Sequence, residues 1–166
     1  MDPIPLSSGS NTSWALPLAK QNKWILIDAG PEIDSPEPSY SWDLMHEALI
    51  RENISPENVD LVLITHEHID HAGLAYKWAA CGTTILAHPL AQNKLIKGDA
   101  AFATDRARRL EYLRKNGLPD SIVRDLNENR LVPTLRWQPC PASAIATINH
   151  LDEIDLAEDK KLTILS

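Results

Sequence analysis

His66, His68, Asp70 and His71 lie within six consecutive residues, His66-Glu67-His68-Ile69-Asp70-His71, after the apolar run Leu61-Val62-Leu63-Ile64 and Thr65 and ahead of Ala72-Gly73. The whole chain has six histidines, so half of them fall in this one segment. In extended backbone, side chains two apart point the same way, so His66 and His68 can converge on one ion while Glu67 faces elsewhere. Asp70 and His71 follow where the chain must turn, and a turn aims adjacent side chains at a second point nearby. Imidazoles with one carboxylate suit zinc, with iron or manganese tolerable. Two such ions about 3.5–4 Å apart polarise a carbonyl or phosphoryl oxygen and activate water. The chemistry this spacing points to is metal-assisted hydrolysis.

Such a cluster needs a scaffold, and the flanking segments supply one. Lys23 to Asp28, KWILID, is a short apolar run closed by Ala29-Gly30-Pro31 and reads as a buried strand. The Pro- and Ser-rich stretch that follows is irregular. Ser41 is expected to cap a helix with Trp42, Met45, Leu49 and Ile50 near helical spacing and Asp43 in its first turn. Ser55-Pro56-Glu57 reads as a one-turn lead into a strand over 60–65, whose unbroken apolar core implies burial on both faces. A short helix from Gly73 to Ala80 and a strand from Thr83 to Ala87 come next. Residues 90–130 turn helical and polar, with Thr104 as a cap, a stripe of Ala107, Leu110 and Leu113, a stop at Gly117, and a second helix from about Pro119 to Asn127. Past a Pro-rich joint at 133–141, SAIATINH, DEIDLA and KLTILS read as three short strands joined by tight turns. The sum is an α/β sandwich in which helices cover a mixed sheet.

Composition bounds the partners. The chain has 166 residues, 43% of them hydrophobic, enough for one buried core and one domain. A formal charge of −7 repels phosphate backbones and anionic membranes, so nucleic acid is not an expected partner. Cys81 and Cys140 are far apart without a CxxC pattern, and are expected as free, buried thiols in a reducing compartment. The N-terminal stretch has no basic segment followed by an apolar one, and no apolar run approaches the roughly 20 residues of a membrane span. A soluble, cytoplasmic protein with a small-molecule substrate is expected.

The HxHxDH segment, with its preceding apolar strand and Thr65 and its trailing Ala72-Gly73, resembles the signature of the metallo-β-lactamase superfamily. Leu26 to Gly30, LIDAG, is similar to that family's first segment, a strand ending in aspartate, and DEIDLAEDKKLTILS is similar to the strand pair ahead of its next metal histidine. The resemblance implies a metallo-β-lactamase-like αββα sandwich. It further implies that His66 and His68 bind a first zinc, that Asp70 and His71 bind a second, and that Asp70 orients the attacking water as the catalytic residue. Asp28 would lie beneath the site as a carboxylate that holds a ligand in place. The family's remaining ligands, a histidine in a Gly-His turn, a bridging aspartate and a late histidine, have no counterpart within the 166 residues. Residues 1–166 are therefore expected to be a single incomplete domain, the N-terminal half with a helical insertion at about 90–130. Two zinc ions are expected in the longer protein and weak metal binding in this part of it.

Other polar and aromatic residues have plainer readings. His88, His150 and His46 are expected to be structural, His46 on an exposed helix face. The basic run around Arg106 to Arg109 reads as a solvated helix face laced by Asp105–Arg109 and Glu111–Lys115 pairs. Phe102, Tyr112 and Trp137 would shape a substrate pocket if the helical hairpin faces the metals. The resemblance implies a zinc hydrolase acting on an ester, lactone, thioester, amide or phosphodiester, since redox di-iron relatives carry glutamate where His68 stands. A mononuclear iron oxygenase on the same fold and a degenerate, non-catalytic scaffold remain as alternatives.

Overall fold

A computed structural model describes residues 2–8, 11–20, 22–32, 39–127 and 138–166, with residues 99, 102–106 and 127 described by backbone alone. The elements, in chain order, are β1 (Ile4–Ser8), β2 (Asn11–Pro17), β3 (Trp24–Ile27), α1 (Tyr40–Arg51), β4 (Val59–Leu63), α2 (Ile69–Ala72), α3 (Ala75–Ala80), β5 (Thr84–Ala87), α4 (Pro89–Lys97), α5 (Asp99–Lys115), α6 (Asp120–Asn127), β6 (Ile145–Thr147), β7 (Glu153–Asp155) and β8 (Lys161–Thr163). Strands β1 to β6 form one sheet in that spatial order, and β7 pairs with β8 in a separate antiparallel hairpin. The first three strands are antiparallel neighbours, whereas β3, β4, β5 and β6 run parallel. Parallel neighbours require crossovers, and the helices supply them.

Helices α1, α3 and α4 pack on one face of the sheet. Met45, Ala48 and Leu49 of α1, Trp78 of α3, and Ala91 and Leu95 of α4 share a buried cluster with Leu26, Val62 and Ile85 from the strands. On the opposite face Ile25, Leu63, Ile148 and Leu156 form a second cluster, flanked by Leu16, Ile27, Ile154 and Leu162. The β7–β8 hairpin covers this second face, tied to the end of β2 by a Leu18–Leu156 bridge and by Ala157 N donating to Pro17 O. The sequence expectation of a mixed sheet covered by helices is met, with a second small sheet on the other side.

Several local expectations are corrected. The N-terminal hairpin β1–β2 carried no strand expectation; β1, which contains Pro5, is an edge strand, where proline is tolerated. Ser41 does not cap α1. Ser39 holds that position without a side-chain hydrogen bond, and Ser41 lies buried inside the helix. Ile50 is 65% exposed rather than part of the stripe, and His46 faces inward, its ring 4.5 Å from that of Trp42. β4 stops at Leu63, so Ile64 and Thr65 leave the strand before the histidines begin. The helix expected from Gly73 to Ala80 is α3, and a further short helix, α2, precedes it and already holds Asp70 and His71. β6 joins the large sheet instead of the hairpin. α5 begins at Asp99, so Thr104 is internal; Ala107 is exposed and the expected stripe is only half-buried at Leu110 and Leu113.

Gly117 does end α5 as expected, at φ +88°, with Leu118 N donating to Leu113 O and Gly117 N to Arg114 O. The Glu111–Lys115 pair forms at 2.7 Å. The side chains of Phe102 and Asp105, and with the latter the expected Asp105–Arg109 pair, and Trp137 lie outside the described residues. Cys140 is buried and Cys81 is exposed, since Cys81 closes α3 at the turn into β5. No helix among the described residues is long and apolar enough to cross a membrane.

Two measurements check this packing. A Cβ on Gly73 would stand 2.3 Å from both the backbone N of Glu32 and the carbonyl O of Ile69, so two backbone segments would have to part. Gly73→Ala is expected to cost about 2–3 kcal/mol and to lower the melting temperature by roughly 5–10 °C. Gly82→Ala, where no atom lies within 4 Å, costs only the strain of its φ of +87°, about 1 kcal/mol. Burial pushes the Cys140 thiol up to about 11, so a disulfide-exchange reagent at pH 8 is expected to label Cys81 rapidly and Cys140 only after unfolding.

Candidate metal centre

The histidine segment lies at the carboxyl ends of the parallel strands, where β3, β4 and β5 all hand over to loops. Open α/β sheets place ligands at this edge. Asp28 continues the β3–β4 ladder through its N–H to Leu63 O at 2.8 Å, then turns sharply at φ +67°. Aspartate tolerates that left-handed backbone better than most side chains. Ala29 N and Gly30 N both donate to His71 O, at 2.7 and 3.2 Å, while Glu32 N donates to Ile69 O and Leu74 N to Gly30 O. The 28–32 loop and the start of α2 are thus laced together by backbone alone. Trp78 backs the seam by donating its indole N–H to Ala29 O at 3.0 Å.

Side chains complete the knot. The Asp28 carboxylate, 7% exposed, accepts from Thr65 N at 2.9 Å and from the Thr65 hydroxyl at 2.8 Å on Oδ1, and meets His71 Nδ1 at 2.7 Å on Oδ2. A carboxylate only accepts, so His71 donates from Nδ1, and in the neutral ring the lone pair then lies on Nε2. Thr65 Oγ1 also stands 3.1 Å from His66 Nδ1. With its single proton given to Asp28, that hydroxyl can only accept from His66, which frees His66 Nε2 in turn. One buried carboxylate therefore selects the tautomer of two imidazoles.

The three rings lie close together. His66 and His68 have ring centroids 4.7 Å apart, and His66 and His71 4.0 Å apart. His71 Nε2 faces Asp70 Oδ2 at 3.5 Å. Asn11 on β2 donates its side-chain amide to Asp70 O at 3.0 Å, so the N-terminal hairpin also holds the segment. Glu67 faces away from the imidazoles and pairs with Lys94 Nζ on α4 at 2.5 Å; that hydrogen bond keeps its carboxyl below the ordinary range. Behind the loop, burial raises the Glu32 carboxyl against the opposing hydroxyls of Tyr76 and Ser41, and burial together with Glu32 pushes the Tyr76 phenol up.

The donor types, imidazoles with one carboxylate, suit zinc, and the His66 ring lies nearer to that of His71 than to that of His68. Among the described residues no group of three or more His, Cys, Asp or Glu side chains is placed to hold a metal ion. The set fits the metal in kind and in the freed Nε2 atoms, and supplies fewer than three donors to each ion. His88 takes no part in it: Nδ1 caps α4 by accepting from Leu90 N at 3.3 Å. His150 Nδ1 accepts from Ser166 N at 3.1 Å. Tyr112 is 65% exposed on α5. A groove of about 620 Å³ between α5 and α6, lined by Leu110, Arg114, Val123 and Arg124 among others, contains no residue of the histidine segment. Lys94 and Asn11 are contributors that no sequence spacing announces, since they reach the segment from other elements.

Comparison with known proteins bears on this loop. A profile described as the metallo-beta-lactamase superfamily matches residues 10–132. Curated protein sequences give no significant match. Solved structures with a similar fold include the MIM-2 metallo-beta-lactamase, with a TM-score of 0.60 and 18% identity over 98% of this chain and 48% of that one. GOB-18 from Elizabethkingia meningoseptica gives a TM-score of 0.59 at 14% identity, covering 99% of this chain and 50% of its own. BJP-1, a subclass B3 metallo-beta-lactamase of Bradyrhizobium japonicum, gives 0.59 at 13% identity, covering 97% and 47%. The chain spans about half the length of each of these structures. A profile that runs across most of the chain, with the HxHxDH segment inside it and the same fold around it, makes this chain a member of the metallo-β-lactamase superfamily.

Proposed function

We propose that the chain carries the metal-gripping loop of a metal-dependent hydrolase in which His66 and His68 hold one zinc and Asp70 and His71 a second. The reaction is cleavage of an ester, lactone, thioester, amide or phosphodiester in a small molecule. The observation that supports this most directly is the Asp28 knot, which frees the Nε2 atoms of His66 and His71 on one side of the loop. Carboxylate-backed imidazoles of this kind are how proteins orient metal ligands and raise their basicity. Bound zinc would supply a Lewis acid for the scissile carbonyl or phosphoryl oxygen and lower the pKa of water near it.

The chain's own residues do the rest. Asp28 and Thr65 hold the imidazoles against rotation. Asp70, whose side chain is 52% exposed, would orient the attacking water. A cytoplasmic location suits free thiols at Cys81 and Cys140.

The test is to purify the full translation product of the gene with zinc present, measure bound metal, and assay simple esters, lactones, thioesters, amides and phosphodiesters with and without chelator. Bound zinc and chelator-sensitive turnover of at least one class are expected. Absence of both would overturn the reading, and one bound iron with oxygen consumption would replace it by an oxygenase. Asp28→Asn, which puts an amide donor where His71 must donate, is expected to weaken zinc binding by about 10- to 100-fold, measured by competition with a chromophoric chelator. His88→Ala, at the cap of α4, is expected to leave zinc affinity unchanged within about twofold and to lower stability by about 1 kcal/mol in a thermal melt.

A further inference from the structure

Glu67 is the one charged residue inside the motif that no ligand role uses. The Glu67 side chain pairs across to another element and not with the rings of His66 and His68, whose centroids lie 4.7 Å apart. It points to α4, where Lys94 Nζ lies 2.5 Å from Oε1 and both side chains are only about a quarter exposed, at 27% and 28%.

The partner is held firmly. α4 is capped by His88 and starts with Pro89, and Ala91 and Leu95 seat it on the core to either side of Lys94. Gln92 ties it to Ala87 O and Thr147 Oγ1, and Leu95 O accepts from Cys140 N at 2.8 Å.

We propose that Lys94 is a positioning residue for the His66–His68 pair, acting through Glu67. The inference rests on the metal-hydrolase reading for its purpose and on the Lys94–Glu67 contact for its geometry. Glu67 sits between the two peptide planes that carry His66 and His68, so anchoring its carboxylate to a rigid helix fixes the orientation of both planes. That contact acts on the backbone beneath both imidazoles, while Thr65 holds the His66 ring through Nδ1. An ordinary surface ion pair contributes little to stability, and a purely structural pair would leave the rings where they are. Positioning predicts a larger effect on ring environment and metal affinity than on folding.

The test uses ¹⁵N-labelled protein in three forms, unmutated, Lys94→Met and the charge-reversed double variant Glu67→Lys with Lys94→Glu. Imidazole ¹H–¹⁵N spectra are recorded without metal, zinc affinity is measured by competition with a chromophoric chelator, and a thermal melt controls for folding. Lys94→Met is expected to shift the ring signals of His66 and His68, leave that of His150 in place, and weaken zinc binding by about tenfold. The double variant is expected to recover most of both. Ring signals and zinc affinity unchanged in Lys94→Met would overturn the proposal. If the unmutated protein binds no zinc while the ring signals still move and recover, the hydrolase reading fails and the positioning role stands. Should Lys94→Met fail to fold, Glu67→Gln, which removes the charge and keeps the shape, takes its place with the same expected and overturning results.

Discussion

The geometry of the loop depends on one buried carboxylate. Asp28 can only accept hydrogen bonds, and it accepts from Thr65 twice and from His71 once. Loss of any of these would leave a charge in a site only 7% exposed, a cost that the surrounding backbone is arranged to avoid. The same constraint reaches chemistry, because the proton that Thr65 gives to Asp28 decides which nitrogen of His66 is free. Structure and ligand presentation are thus two readings of one hydrogen-bond network.

The scaffold exists to put three loop starts side by side. Parallel pairing of β3, β4 and β5 brings Asp28, Thr65 and His88 to one edge. Gly73 then lets the start of α2 close on the 28–32 loop with no side chain between them. Trp78, fully buried, contributes packing and one indole hydrogen bond to the same seam. Its ring meets Trp42 edge-on at 4.8 Å, so α1 and α3 share the support.

The histidine segment was legible because ligand chemistry imposes a spacing that chance apolar or polar patterns do not. The strands KWILID and LVLI were legible for a related reason, since burial on both faces leaves unbroken apolar runs. What spacing could not carry was pairing between distant residues. Lys94 on α4 and Asn11 on β2 hold the loop from 27 and 59 residues away, and neither has a local pattern that marks it. Capping was misread at Ser41 because Ser39 lies two residues upstream and either serine could begin the helix. His46 looked exposed by composition, yet its ring lies against Trp42. Thr104 was misplaced as a cap because α5 starts five residues earlier, at Asp99 behind Gly98.

In the large sheet the spatial order of the strands is their order along the chain, β1 through β6. Each strand therefore pairs only with the one synthesised just before it and the one synthesised just after. A ribosome releasing this polypeptide delivers every new strand to an edge that is already in place, so the sheet can grow in the direction of translation without waiting for a later segment to be threaded between finished neighbours.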